Sequence, residues 1–369
     1  MAGGSAALRH GLLLAVIGAG FVLAPEPVWA MSFYLLVLPG QLWRLRQARG
    51  RLTAGEAVAV ALIAWLGVAT VWDRSGAGHA LWLFNAGCTV AFVLACAEMR
   101  GRDLASVMIA GGVVNAALAV ARHLVAGAVE PRMPGWAETR QPILGAAIIG
   151  VMVLLALARA LEGRRPWAYG AAALLGLGFI GLTGSRGPML ATGVALLVLV
   201  GATRRRHLGW GLGVALVVAL AVALAVPGAW WQGLLARGGS HRLEIWTQTL
   251  AVLRQAPGWA AWVGLGPGAT IGRPGEDFPH NLLLSTAFYG GLIGLGLLLA
   301  LLGLVALAAW RGPERPLRLA LLVLVLGVGM TDLSNLAKGP SPMWYVVWVP
   351  LVLSLNPQRG LLGGRAAAS

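Results

Sequence analysis

Charge is scarce in this chain of 369 residues: only 11% is Asp, Glu, Lys or Arg, and Lys338 is the one lysine. Without a lysine in a Gly-rich loop there is no phosphate-cradling motif of the ATPase kind. The 13 acids form no Asp-x-Asp pair and no cluster suited to a divalent cation, and no His-x-x-His occurs. ATP use and metal catalysis are therefore not expected, and no cofactor is implied. Acids are also missing from the middle of the apolar runs, which argues against an ion-coupled carrier. No internal repeat supports the inverted architecture common in such carriers. Cysteine is nearly absent. Cys88 and Cys96 fall eight residues apart on one expected helix, about 12 Å from each other, too far to bridge, and read as small core residues.

What is present is hydrophobic sequence, at 58%. The class expected is an all-α integral membrane protein, a single polytopic domain over 1–369. Twelve spans are expected near 7–24, 28–43, 57–72, 80–97, 104–126, 142–160, 168–183, 188–202, 208–226, 281–309, 317–331 and 342–355. With both termini on the cytoplasmic side, the segments facing that side hold 18 of the 28 Lys and Arg but only five of the 13 acids. That asymmetry follows the positive-inside rule. The basic balance thus reflects topology and anionic lipid headgroups rather than nucleic acid. Arg9, His10 and the apolar run after them resemble a signal peptide, with Val28-Trp29-Ala30 as a loose cleavage site. Cleavage there would leave only Met31 to Trp43 before the next basic loop, too short to span, so the segment is read as a retained helix.

One long polar interruption, 227–280 between spans nine and ten, forms the large external loop. Within it Ser240 reads as the N-cap of a helix of about 15 residues ending before Pro257. Leu243, Trp246, Leu250 and Leu253 would form its apolar stripe, lying on the bundle or at the membrane interface. Arg242 falls in its first turn, where a cation opposes the helix dipole; it is there for an anion, or it is a surface Arg paired with Glu244 or Glu138. Arg186 sits in the tight turn Thr183-Gly184-Ser185-Arg186-Gly187, close to membrane depth. It is either a guanidinium gripping phosphate oxygens or an Arg snorkelling to the interface. A second external loop, 127–141, carries Glu138 and Arg140.

The long loop ends in Pro279-His280-Asn281, at the mouth of a hydrophobic helix. Histidine can accept a proton from a hydroxyl near neutral pH, so His280 is a candidate general base. It can equally be a capping residue in a polar loop. Asn281 could orient the ring or a substrate, and Glu276 and Asp277 could tune the His or replace it. External arginines with one histidine suggest a pyrophosphate-bearing lipid substrate whose leaving group is stabilised by guanidinium.

His280-Asn281, nine residues and then Gly291-Leu292-Ile293-Gly294 resemble the signature of the O-antigen ligase family. Four further stretches are similar to family elements, in the correct order over about 136–296. They are Pro142-Ile-Leu-Gly145, the Ser185-Arg186-Gly187 turn, Arg242-Leu-Glu-Ile-Trp246 and Gly264-Leu-Gly-Pro-Gly268. The resemblance implies an inverting, metal-independent glycosyltransferase of the bacterial inner membrane with its site facing the periplasm. The donor would be a glycan on undecaprenyl diphosphate and the acceptor the lipid A–core of lipopolysaccharide. It assigns Arg186 and Arg242 to the diphosphate, Arg140 to holding the donor, and His280 to activating the acceptor hydroxyl; Trp246 would stack on sugar or pack. An O-antigen or exopolysaccharide polymerase shares the donor and most of the motifs. A transporter should spread polar groups along a path through the bundle, whereas here they gather on one face.

Overall fold

The computed structural model describes residues 2–47, 52–73, 78–126, 132–163, 165–203, 241–273, 277–355 and 361. Helices make up most of the described residues, and no β-strand occurs among them. Helices occupy every expected segment except 208–226, which lies outside the described residues, as do Ser240 and Glu276. In chain order they are α1 (2–23) and α2 (26–47), both with internal π-helical stretches, α3 (Ala54–Trp72), α4 (His79–Glu98), α5 (Gly101–Val125) and α6 (Pro142–Leu161). Then follow α7 (Pro166–Thr183), α8 (Arg186–Gly201), α9 (Arg242–Gln255), α10 (Leu282–Arg311), α11 (Arg315–Asp332) and α12 (Trp344–Leu355). Six of these, α3 to α7 and α10, are long and apolar enough to cross a membrane, and α8 and α12 are shorter apolar helices.

Small residues set how closely the helices approach. A Cβ on Gly150 of α6 would meet Thr192 of α8 and Leu324 of α11, and Gly327 of α11 lies on Ala191 of α8. Nearer the end of the same interface, Gly187 of α8 lies on Thr331 of α11. Close backbone approach of this kind is what holds helices together where lipid supplies no hydrophobic drive. It also brings the first turn of α8 level with the last turn of α11. On the other flank, Trp29, Phe33, Phe92, Trp344 and Tyr345 form one buried aromatic cluster joining α2, α4 and α12, with Phe92 and Trp344 stacked at 4.4 Å. The polar edges are satisfied: Trp29 donates to the Val16 carbonyl and Tyr345 to that of Ile17, tying in α1.

Helix α10 is not one regular rod. Asn281 caps it, its Oδ1 accepting from the Leu284 N–H at 3.0 Å. At Gly291 the backbone turns to φ 63°, ψ −162°, outside helical space. The break frees the preceding carbonyls, and each finds a donor from elsewhere. Leu265 N–H bonds the Phe288 carbonyl, Gly266 N–H that of Tyr289, and the Trp65 indole that of Gly290. A side chain at Gly291 would strike the Trp262 carbonyl, and one at Gly264 the Tyr289 carbonyl. The Gly-Leu-Gly-Pro-Gly element and the Gly-x-x-Gly element are therefore two halves of one backbone contact, with Asp73 accepting the Gly268 N–H beneath it. Their spacing from His280 fixes the position of the segment 282–290 between a cap and a kink.

Helix α9 begins at Arg242, and the residue in the capping position is His241, at φ 49°. The expectation of a cap by Ser240 is corrected on that point. Its inward face is also rotated from the expected stripe. Ile245 and Thr249 are the buried positions and Trp246 and Leu253 flank them, while Leu243 and Leu250 are exposed. Arg242, Ile245 and Thr249 share one face by helical spacing, so burial of that face turns Arg242 toward the protein.

Candidate functional site

Four elements converge at the end of the bundle where α8 begins and α11 finishes. Asn281 donates to the Met330 carbonyl and Ser285 to that of Leu333, and Gly329 lies against Leu282. These contacts lay the start of α10 along the last turn of α11. His280, immediately before the cap, is held at φ 53° in the left-handed region, an uncommon conformation for a residue with a side chain. Its ring lies against Phe278, with centroids 4.0 Å apart, and its Nδ1 is 2.9 Å from Asp332 Oδ1.

The same carboxylate oxygen holds Arg242. Nη2 of Arg242 is 3.1 Å from Asp332 Oδ1, and the Asp332 side chain is only 7% exposed. Each partner is badly placed alone. Arg242 opens a helix, at its positive end, and Asp332 closes one, at its negative end. Paired, they neutralise each other, which is why both are tolerated in a nearly dry position. Arg242 keeps one group in reserve: Nη1 is buried with no hydrogen-bond partner among the described residues. One turn further on, the buried Nε1 of Trp246 is likewise without a partner among them.

Arg186 is the first residue of α8, half-buried, beside the Gly187–Thr331 contact that adjoins Asp332. The turn before it is held from the side by Arg132, which donates to the Thr183 carbonyl at 3.2 Å and to Ser185 Oγ at 2.8 Å. The structure thus gathers Arg186, Arg242 and His280 around the end of α11, with Trp246 one turn along α9 from Arg242. Arg140 is exposed and lines a neighbouring cavity. Asn281 is engaged as a helix cap, and Asp277 is exposed. The carboxylate found on His280 is that of Asp332, not of Asp277. Neither does Arg242 pair with Glu244: Arg273, at 2.9 Å, and His241 hold that carboxylate, and together they lower it below its ordinary range.

Asp332 is the residue that reading the sequence missed. It falls one position beyond the expected end of its span, at 331, and so counted as one more loop acid. Its signal was an acid at the wrong end of a helix, the mirror image of the anomaly that singled out Arg242.

No family model matches the chain. A protein of Pseudomonas aeruginosa, strain PAO1, described as an O-antigen ligase, is 30% identical over 254 residues, which cover 66% of this chain. The resemblance to O-antigen ligases holds. The chain spans 61% of that relative's length.

Proposed function

We propose that the chain is an O-antigen ligase, transferring a glycan from undecaprenyl diphosphate to the lipid A–core of lipopolysaccharide. The observation that carries this reading is the single Asp332 oxygen bonded to both His280 and Arg242. With its Nδ1–H donated to that carboxylate, the imidazole holds its lone pair on Nε2, the form of a general base. Nε2 takes the proton of an acceptor hydroxyl, and the oxygen attacks the anomeric carbon of the donor sugar. The bond from that carbon to the diphosphate breaks on the opposite face, so configuration inverts. The diphosphate leaves with the electron pair, and His280 later returns its proton to solvent or product.

Charge builds on the diphosphate as it departs. Arg242, with Nη1 unpartnered among the described residues, and Arg186 on the facing turn are the groups suited to receive it. Guanidinium groups, not a metal ion, carry this charge. Arg140, on the wall of the adjoining cavity, adds positive charge to the approach. The site faces the periplasm of the bacterial inner membrane, the side opposite the arginine-rich loops. A transfer assay with purified protein, carrier-linked glycan and lipid A–core tests this. His280→Ala should fold and bind donor yet transfer nothing measurable, and normal transfer by the well-folded variant would remove His280 from its role.

A further inference from the structure

A cavity of about 1070 Å³ opens at the same end of the bundle. Its walls include Glu26, Arg122, His123, Trp136, Glu138 and Arg140. It shares the segment 132–141 with the His280 site. On one side Arg132 and Met133 bond the turn that carries Arg186; on the other, Met133 to Gln141 line the cavity. The segment is a rigid wall. Gly135 N–H bonds the Thr139 carbonyl at 3.2 Å, Thr139 donates to Asn115 Oδ1 at 2.7 Å, and Asn115 donates to the Trp136 carbonyl at 2.9 Å.

That knot holds Glu138 where a carboxylate is costly. Glu138 is 4% exposed, and its buried Oε1 has no hydrogen-bond partner among the described residues. Burial, and secondarily the charge of Glu26, pushes its carboxyl up to about 7. A buried polar atom left unpaired beside an open cavity is a group built for a ligand. Trp136, 41% exposed, offers an aromatic face beside it. Carboxyl, guanidinium, amide and indole around one concave space are groups that match a sugar, hydroxyls at the edge and C–H on the face. Pockets of about 300–1,000 Å³ take ligands of several rings, so the volume suits a short oligosaccharide.

We propose that this cavity binds a saccharide of the acceptor glycan, with the Glu138 carboxyl hydrogen-bonding one of its hydroxyls. The inference rests on the ligase reading for the identity of the acceptor. A glycan seated there approaches His280 across the Arg186 turn, while the donor's diphosphate lies with Arg186 and Arg242 on the other side of the wall.

The test is direct binding to the full-length protein in lipid nanodiscs. The probes are core oligosaccharide released from lipid A–core and, separately, undecaprenyl-diphosphate-linked glycan. Glu138→Ala should weaken oligosaccharide binding about tenfold, the cost of one hydrogen bond lost in a dry site. Ala126→Trp, which fills the cavity from an exposed wall position and removes no buried group, should do at least as much. Donor affinity should stay within about twofold, and Glu138→Gln should retain most oligosaccharide affinity. Unchanged oligosaccharide affinity in both Glu138→Ala and Ala126→Trp would overturn the proposal, as would loss of donor affinity in its place. Oligosaccharide binding that fails in these variants, in a protein that transfers nothing, would uphold the cavity and remove the ligase reading.

Discussion

Two polar regions share one end of this bundle, and they treat buried charge in opposite ways. Around Asp332 the misplaced charges have met opposite charges, with only Arg242 Nη1 held in reserve. An Arg at a helix start, an Asp at a helix end and a His in strained backbone close on one carboxylate oxygen. Around Glu138 the carboxyl is equally buried but has been left short of a partner, and its proton affinity rises in response. The first pattern suits chemistry, because groups fixed in advance need no reorganisation when charge develops. The second suits reception, because an unpaired polar group gains most when a ligand arrives. Proximity alone would not have separated the two roles; the pairing of the buried carboxylate does.

The contrast can be broken most forcefully at His280. His280→Ala should lower the transfer rate by about 10³-fold or more, within the range for removal of a positioned base, with expression and donor binding retained. Asp332→Asn is the sharper test of the pairing. It should cost about 10²-fold in kcat, since the ring loses its orienting carboxylate, and donor KM should rise as well, since Arg242 loses the partner that holds it. Thermal stability should fall in either case, because Arg242 is left unpaired; a purely structural Asp332 would leave kcat per folded molecule unchanged.

At the second region the expected sign is reversed. The carboxyl of folded Glu138 lies at about 7 against an ordinary 4.5, so the folded protein holds its proton more tightly than the unfolded chain. Stability from this group is therefore lost as pH rises from about 4.5 to 7, and the penalty is complete above that. Glu138→Gln should stabilise the protein above pH 7 by on the order of 2 kcal/mol and hardly at all near pH 4. Thermal melts at the two pH values check this; a destabilised variant at pH 8 would show that the carboxylate has a partner after all. The smallest effect expected is in binding. Covering the cavity excludes water and favours the neutral acid, so oligosaccharide affinity should fall by about threefold between pH 6 and 8 and stay flat in Glu138→Gln. Glu26, Arg122, His123 and Arg140 also face the cavity, and a pH dependence that survives in Glu138→Gln would take the effect away from Glu138.

Much of this was legible in the residues and some was not, for physical reasons. Hydrophobic runs and their breaks located the helices, because lipid and helix length leave little choice. Arg242 was legible as an anomaly, since a cation at a helix start opposes a known dipole. Its partner was not, because Asp332 lies 90 residues away and helix packing alone brings them together. The Gly-rich elements were visible as motifs but not as one contact. Only the kink at Gly291, with its freed carbonyls taken by Leu265 and Gly266, shows why the spacing from His280 matters. Glu138 was legible only as a loop acid or a partner for Arg242; its burial depends on Asn115 and Thr139, and sequence pattern does not report that.

The most direct measurement is made in cells whose only copy of this protein carries His280→Ala. Lipopolysaccharide is resolved on a gel, and carrier-linked glycans are extracted alongside. Bare lipid A–core together with accumulated long carrier-linked polymer is the predicted result. Lipid A–core bearing single repeat units would make the protein a polymerase, and an unchanged ladder with normal carrier levels would contradict glycan transfer at this site.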